Sequence, residues 1–242
     1  MYDYQIIEKN LKTKYVGRVF LQFDEVESTN VKCKNISQEC PKGMLILSEE
    51  DAEGNLYTED DLKEYNKNIL MSIIFKLKKE DFEKENIETI TSYIGASSLI
   101  EVGNKYFDNI EYYWEKIIKG ENFLCEIDSV KSLKSNDRSI MLGLKVYYKK
   151  ELKRENLITE ITNKIEENFE KIFCDNDLLK VVEICNNCLK NKNKYIKINK
   201  KNRKTVKEIK DIYLDDSGRL IGKTKDDIFS IKWKDYDINW CD

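Results

Sequence analysis

No histidine occurs anywhere in the 242 residues. That excludes a Ser–His–Asp or Cys–His nucleophile system, which needs an imidazole as its base. It also excludes the usual His-bearing zinc sites. Any proton transfer has to use carboxylates, Lys, Tyr, Cys or water. Proline is represented by Pro41 alone and marks no domain boundary. No apolar run approaches the ~20 residues needed to span a bilayer. The opening MYDYQIIEKN has no basic head followed by an apolar stretch, so a secretory signal is not expected. Charge of one sign is missing too. With 42 basic and 45 acidic residues the net charge is −3, too small for a whole-chain field that would hold DNA or an anionic membrane. The seven cysteines (Cys33, Cys40, Cys125, Cys174, Cys185, Cys188 and Cys241) are odd in number and scattered. They read as free thiols in a reducing cytoplasm rather than as a disulfide framework.

What is present describes a folded chain. Hydrophobic residues make up 40% and aromatic residues 11%, more than a disordered chain carries. The length suits one large domain, alone or with a small one. Up to about residue 184, β-rich runs alternate with helical patterns. Strands are expected at Arg18–Asp24, Met44–Leu47, Ile69–Leu77, Ile110–Trp114, Phe123–Val130 and Ser139–Tyr148. Asn30 to Cys40 reads as a short surface helix, with Ser28, Thr29 and Asn30 suited to cap it. Residues 51–67 are polar and acidic and read as a long loop. Ile87, Ile90, Ile94, Leu99, Val102 and Tyr106 keep a helical period, and the small residues Gly95, Ala96, Ser97 and Ser98 among them suggest close packing on a sheet. Lys119-Gly120 is expected to turn the chain through a positive φ. Leu157, Ile161, Ile165, Phe169 and Ile172 mark a long amphipathic helix, and a shorter helix carries Cys185. After about residue 189, short strands at Tyr195–Ile198, Thr205–Leu214, Arg219–Lys223 and Ile228–Trp233 suggest a small β-barrel.

The run Phe23-Asp24-Glu25-Val26-Glu27-Ser28-Thr29-Asn30 resembles the "FDEVxSTN" segment of biotin–protein ligases. In the same order, Gly43-Met44-Leu45-Ile46-Leu47-Ser48-Glu49 is similar to the family's "GTVVVAE" strand, and Ile69 to Ile74 to its "LYLSLLL" strand. Tyr113-Trp114 falls where the family has the "KW" of "KWPND", and Ile140-Met141-Leu142-Gly143 where a strand enters "GxGxN". The C-terminal Asp-Asp-Ser-Gly-Arg-Leu turn, Asp215 to Leu220, resembles the family's small SH3-like domain. The resemblance covers nearly the whole chain in order and spacing and is weak in identity. The lipoate ligases share the same core. It implies an α/β fold with a mixed sheet flanked by helices in residues 1–189, then an SH3-like β-barrel in residues 190–242. In activity it implies ATP-dependent formation of biotinyl-adenylate, usually with Mg²⁺, and transfer of the biotinyl group to a lysine of a carrier domain.

The residues that carry that chemistry are largely replaced. The family's "xQxxGRGR" loop is here Glu50-Asp51-Ala52-Glu53-Gly54-Asn55-Leu56-Tyr57, in which only Gly54 survives. Its arginines offset phosphate charge, whereas Glu49, Glu50, Asp51 and Glu53 would repel it. "KWPND" has become Tyr113-Trp114-Glu115-Lys116-Ile117, so the Asn and Asp are gone. The family's lysine in "KKLAGIL" falls near Asn122. Lys145 stands where "GxGxN" has its second glycine, which permits close backbone approach. No catalytic and no metal-ligating residue is assigned. The ligand-side candidates are Ser28, Thr29, Asn30, Gly54, Trp114 and Lys116, with Lys119 nearby. Each has a plainer reading: a helix cap for Ser28, Thr29 and Asn30, core packing for Trp114, a solvated acidic loop for Asp60, Asp61 and Glu64.

Two further signals are weak. Cys185-x-x-Cys188 lacks the second pair or the histidine of a metal site. Lys190 to Lys210 holds ten basic residues against Glu208 and is expected to form the wet side of barrel strands rather than a nucleic-acid face. The expectation is thus a ligase-like frame that is non-catalytic or nearly so and binds a partner protein or an altered ligand. The alternative is a working biotin or lipoate ligase with substituted residues. Biotin, ATP and Mg would be its cofactors and a biotin-carrier-like domain its partner. The resemblance also allows a homodimer. The "STN" segment begins too early to leave room for a DNA-reading winged helix.

Overall fold

The computed structural model describes residues 2–51, 62–114, 117–190, 196–200, 206–209, 211–231 and 236–239. A seven-stranded mixed sheet runs in the order β1-β2-β3-β7-β6-β5-β4. Its strands are β1 (Phe20–Val26), β2 (Met44–Asp51), β3 (Lys67–Lys76), β4 (Glu111–Tyr113), β5 (Ile117–Gly120), β6 (Phe123–Lys131) and β7 (Ser139–Tyr148). β1 and β2 are parallel and every other pair is antiparallel.

Alternation along the strands sorts side chains onto two faces. On one face Leu45, Leu47, Ile69, Met71, Ile73, Phe75, Ile127, Leu142, Leu144 and Val146 enter the main core. The helices α4 (Ile87–Tyr106) and α5 (Arg154–Phe173) cover them, joined by α1 (Tyr4–Asn10) and α6 (Leu178–Asn187). Gly95 lets α4 sit close on the sheet, since a Cβ there would lie 3.0 Å from Leu142 and 3.2 Å from Leu144. On the other face a shorter helix, α2 (Thr29–Ile36), packs Cys33 against Met44, Ile46, Ile74 and Met141 in a small separate cluster. A single turn, α3 (Lys79–Phe82), precedes α4.

Several sequence expectations need correction. Gly120 does not turn the chain; it lies in β5, and the bend falls at residues 121–122. It is glycine for space, because a Cβ would come within 2.6 Å of Ile110 Cδ1 and 2.9 Å of the Asp108 carbonyl oxygen. The left-handed positions of the described chain are instead Gly17, Gly43, Gly218, Asn109, Asn136 and Asn176. Ser28 occupies the N-cap of α2 without a side-chain capping bond. α2 ends at Ile36 and continues as a 3-10 turn over Ser37–Glu39. The expected loop loses both ends to strands, since Asp51 closes β2 and Lys67 opens β3.

After α6 the chain forms two three-stranded antiparallel sheets, of order β13-β8-β9 and β10-β11-β12. They contain β8 (Ile196–Lys200), β9 (Val206–Ile209), β10 (Asp211–Leu214), β11 (Leu220–Lys223), β12 (Ile228–Ser230) and β13 (Tyr236–Asn239). The single strand expected over Thr205–Leu214 is therefore two, paired into different sheets. The Asp215–Gly218 turn forms as expected, with Asp215 Oδ1 accepting from the backbone N–H groups of Ser217 and Arg219 at 3.0 and 2.9 Å. Gly218 presents its carbonyl to the Tyr93 hydroxyl of α4. Ile209, Ile212, Leu214 and Leu220 thereby belong to the same apolar cluster as the main sheet.

Candidate functional site

The face of the sheet beside α2 carries the residues the sequence singled out. Thr29 and Asn30 open α2 and are buried. The Ser72 hydroxyl of β3 lies 2.7 Å from Thr29 Oγ1 and donates to Asn30 Oδ1 at 2.8 Å. The Asn30 amide donates to the Asp128 carboxylate of β6 at 2.9 Å. Gly143 of β7 pairs in register with both Ser72 and Asp128. A Cβ on Gly143 would lie 2.5 Å from Asn30 Nδ2. The close approach that glycine permits is thus used by the chain's own asparagine. The register partners of Gly143 could not be read from sequence, so Ser72 and Asp128 were missed.

Two residues further along β7, on the same face, stands Lys145. Its direct cross-strand neighbours are Glu126 and Leu70. Glu126, Leu70, Leu124 and Tyr147 of this face are buried. At its end Tyr65 packs on Tyr147 with ring centroids 6.5 Å apart, and Lys149 lies over Tyr65 while pairing Glu64 at 2.7 Å.

The acidic rim is smaller than the sequence suggested. Glu49 shares a face with Leu45 and Leu47 and turns to the helix side, where Arg154 donates to it at 2.7 Å. Arg154 also lies over the Tyr2 ring. Burial raises the Glu49 carboxyl, but its net shift is downward, and the hydrogen bond and charge of Arg154 are among the groups that lower it. Burial lifts the Tyr2 phenol to about 12. Glu50 remains on the α2 face and is exposed.

Trp114 is placed in the core at 3% exposure, donating through Nε1 to the Tyr93 hydroxyl at 3.0 Å. Lys119 is exposed on β5, opposite Glu111. Gly54, Lys116, Asp60 and Asp61 lie outside the described residues, as does most of the basic stretch after residue 190. Lys190 itself pairs Glu111 at 2.7 Å. Cys185 is fully buried, which pushes its thiol far above the ordinary range; Cys188 is partly buried and raised for the same reason. Neither suits thiolate chemistry. No group of residues suited to a metal ion occurs among the described residues. No helix among them is long and apolar enough to cross a membrane.

Chemically, the α2 face offers hydrogen-bonding groups, lysines and carboxylates. On this face Lys145 stands opposite Glu126 and diagonal to Asp128, Lys119 of β5 is in register with Leu124, and Lys76 at the end of β3 pairs Asp137. A triphosphate or a biotinyl-adenylate needs several cations or donors converging on its phosphate oxygens. Residues 52–57 and 115–116, which the resemblance places at the phosphate, lie outside the described residues, and no step through that group follows from the others.

This seven-stranded mixed sheet, with helices on one face and a short helix on the other, is the fold of the biotin protein ligases. The biotin protein ligase of Aquifex aeolicus in complex with biotin and ATP superposes with a TM-score of 0.69 at 12% identity, covering 93% of this chain and all of that one (100%). A biotin protein ligase-like protein of unknown function from Silicibacter gives 0.60 at 6% identity over 90% of this chain and 96% of that one. The Helicobacter pylori biotin acetyl coenzyme A carboxylase synthetase with bound biotinylated ATP gives 0.54 at 16% identity, over 88% and 99%. At these identities the likeness is one of fold. No protein-family model and no curated protein sequence matches the chain.

Proposed function

We propose that the chain is a non-catalytic or weakly active relative of the biotin protein ligases that binds a partner protein or an altered ligand. The observation that carries this reading is the self-occupation of the α2 face. Asn30 sits against Gly143, and Lys145 faces Glu126 where the family pattern has a second glycine. The replaced arginines and the replaced "PND" segment argue the same way. Losing one stabilising contact at such a centre commonly costs about 10²–10³ in rate, and here several are replaced together. Residues 1–189 would supply the ligase-like unit and residues 190–242 an SH3-like unit.

A second reading is a ligase with substituted residues. It is favoured by the burial of Ser28, Thr29 and Asn30 on the face where the family resemblance places the biotin ring. Incubation with labelled biotin, ATP, Mg²⁺ and a carrier domain decides between them. The expected result is no transfer, or transfer far slower than that of a biotin protein ligase. Transfer at the rate of a biotin protein ligase would establish the second reading.

A further inference from the structure

The two edges of the seven-stranded sheet are finished differently. β4 is three residues long, and the chain after α6 covers it: the Tyr112 N–H donates to the Cys188 carbonyl at 2.7 Å, and the Lys190 N–H to the Tyr112 carbonyl at 2.9 Å. β1 is seven residues long and pairs with β2 alone. Among the described residues no backbone hydrogen bond reaches its outer side. An open edge of this length is a template for another strand, and proteins usually blunt it with charged side chains, Pro or a bulge. Residues 19–23 contain neither a charged residue nor Pro, and the register with β2 runs without a bulge.

The side chains along this edge are graded. At its start Val19 is 48% and Leu21 39% exposed, and the exposed Tyr4 packs on Phe20 with centroids 4.8 Å apart. At its end Asp24, Glu25 and Glu27 are exposed carboxylates. We propose that β1 is a docking strand for an extended segment of another protein. That segment is apolar where it meets Val19 and Leu21 and carries Lys or Arg where it meets Asp24, Glu25 and Glu27. The proposal rests on the partner-binding reading above and names the partner's chemistry. A second copy of the chain fits less well. In a two-fold antiparallel pairing of β1 with itself, each acidic end would lie along the other's Val19 and Leu21, and residues 19–27 themselves carry no cation to meet it. Arg18, next to the strand, is held by the carbonyl oxygens of Thr13 and Leu11, and Lys32 lies over the Phe23 ring.

The test uses the full chain and short fluorescein-labelled peptides of alternating Val and Thr, ending in two lysines or in two glutamates, each made in both directions. Anisotropy is expected to give saturable binding of a lysine peptide that weakens with added salt. Hydrogen exchange is expected to slow at the amides of residues 20–26. Leu21→Lys and Glu25→Lys are each expected to weaken binding roughly tenfold with an unchanged melting temperature, since both side chains are exposed. No saturation, equal binding of lysine and glutamate peptides, or slowed exchange only elsewhere would overturn the proposal. So would a concentration-dependent dimer in light scattering that Leu21→Lys abolishes, because a second copy would then be the occupant. Peptide failure together with absent biotin transfer would sink the docking strand and leave the non-catalytic reading intact. Biotin transfer at ligase rates would sink that reading whatever the peptides do.

Discussion

Replacing Asp137 by alanine is expected to destabilise the chain by about 3 kcal/mol, read as a lower urea midpoint at unchanged slope. The Asp137 side chain is 1% exposed and ties three elements together. It accepts from the Ser37 hydroxyl after α2 at 2.5 Å, from the Ser139 hydroxyl at the start of β7, and from Lys76 at the end of β3 at 3.2 Å. Lys76 also donates to the Ser37 carbonyl at 2.5 Å. Lys76 is 30% exposed, so its charge contributes the smaller part and the hydroxyl bonds the larger. Asn at this position should recover some of the loss, since its carbonyl still accepts.

The same group sets an acid limit. Burial pushes the Asp137 carboxyl up, but hydrogen bonds from Ser139, Ser37, Ser132 and Lys76 outweigh it and hold the carboxyl well below its ordinary 3.8. A depressed folded value means that the stabilisation is complete above the unfolded value. It is lost as the pH falls through the folded one. The gap between the parent and Asp137→Ala should therefore stay constant from about pH 7 to about pH 5 and narrow below about pH 4. Urea titrations across that range check it, and a gap that widens in acid would contradict it.

Gly143→Ala is expected to cost about 1–3 kcal/mol, because the new methyl meets the Asn30 amide while Ser72 and Asp128 hold that amide in place. Asn30→Ala removes the obstacle. The double variant should be more stable than the sum of the single losses predicts, by about 1 kcal/mol or more. Additive losses would mean that Asn30 does not occupy the space over Gly143. That would return the space to a ligand and weaken the reading of a self-filled face.

Most of the frame was legible because it rests on local pattern. Ser139–Tyr148 forms β7 with the expected limits, and the 3.6-residue period of Ile87 to Tyr106 is realised as α4. The family resemblance, read from short ordered segments, agrees with the fold found. What escaped depended on distant partners. Gly120 has no local sign that Ile110 and the Asp108 carbonyl crowd it. Asp137 and Ser37 lie 100 residues apart and meet only once β7 is laid beside β3. The helix α1 did leave a signal, since Asp3 caps it by accepting from Gln5 and Ile6. At the site, Thr29 and Asn30 were legible from the "STN" run, whereas Ser72 and Asp128 were fixed only by strand register. Glu49 was misassigned to the rim because alternation along β2 sends it to the helix side, where Arg154 takes it.

Titration calorimetry with MgATP, and separately with biotin, tests the central claim most directly. With Lys145 flanked by Glu126 and Asp128, the account predicts no measurable heat of ATP binding at millimolar concentration, whatever biotin does. Saturable binding of ATP at micromolar concentration, competed by a biotinyl-adenylate analogue, would contradict it.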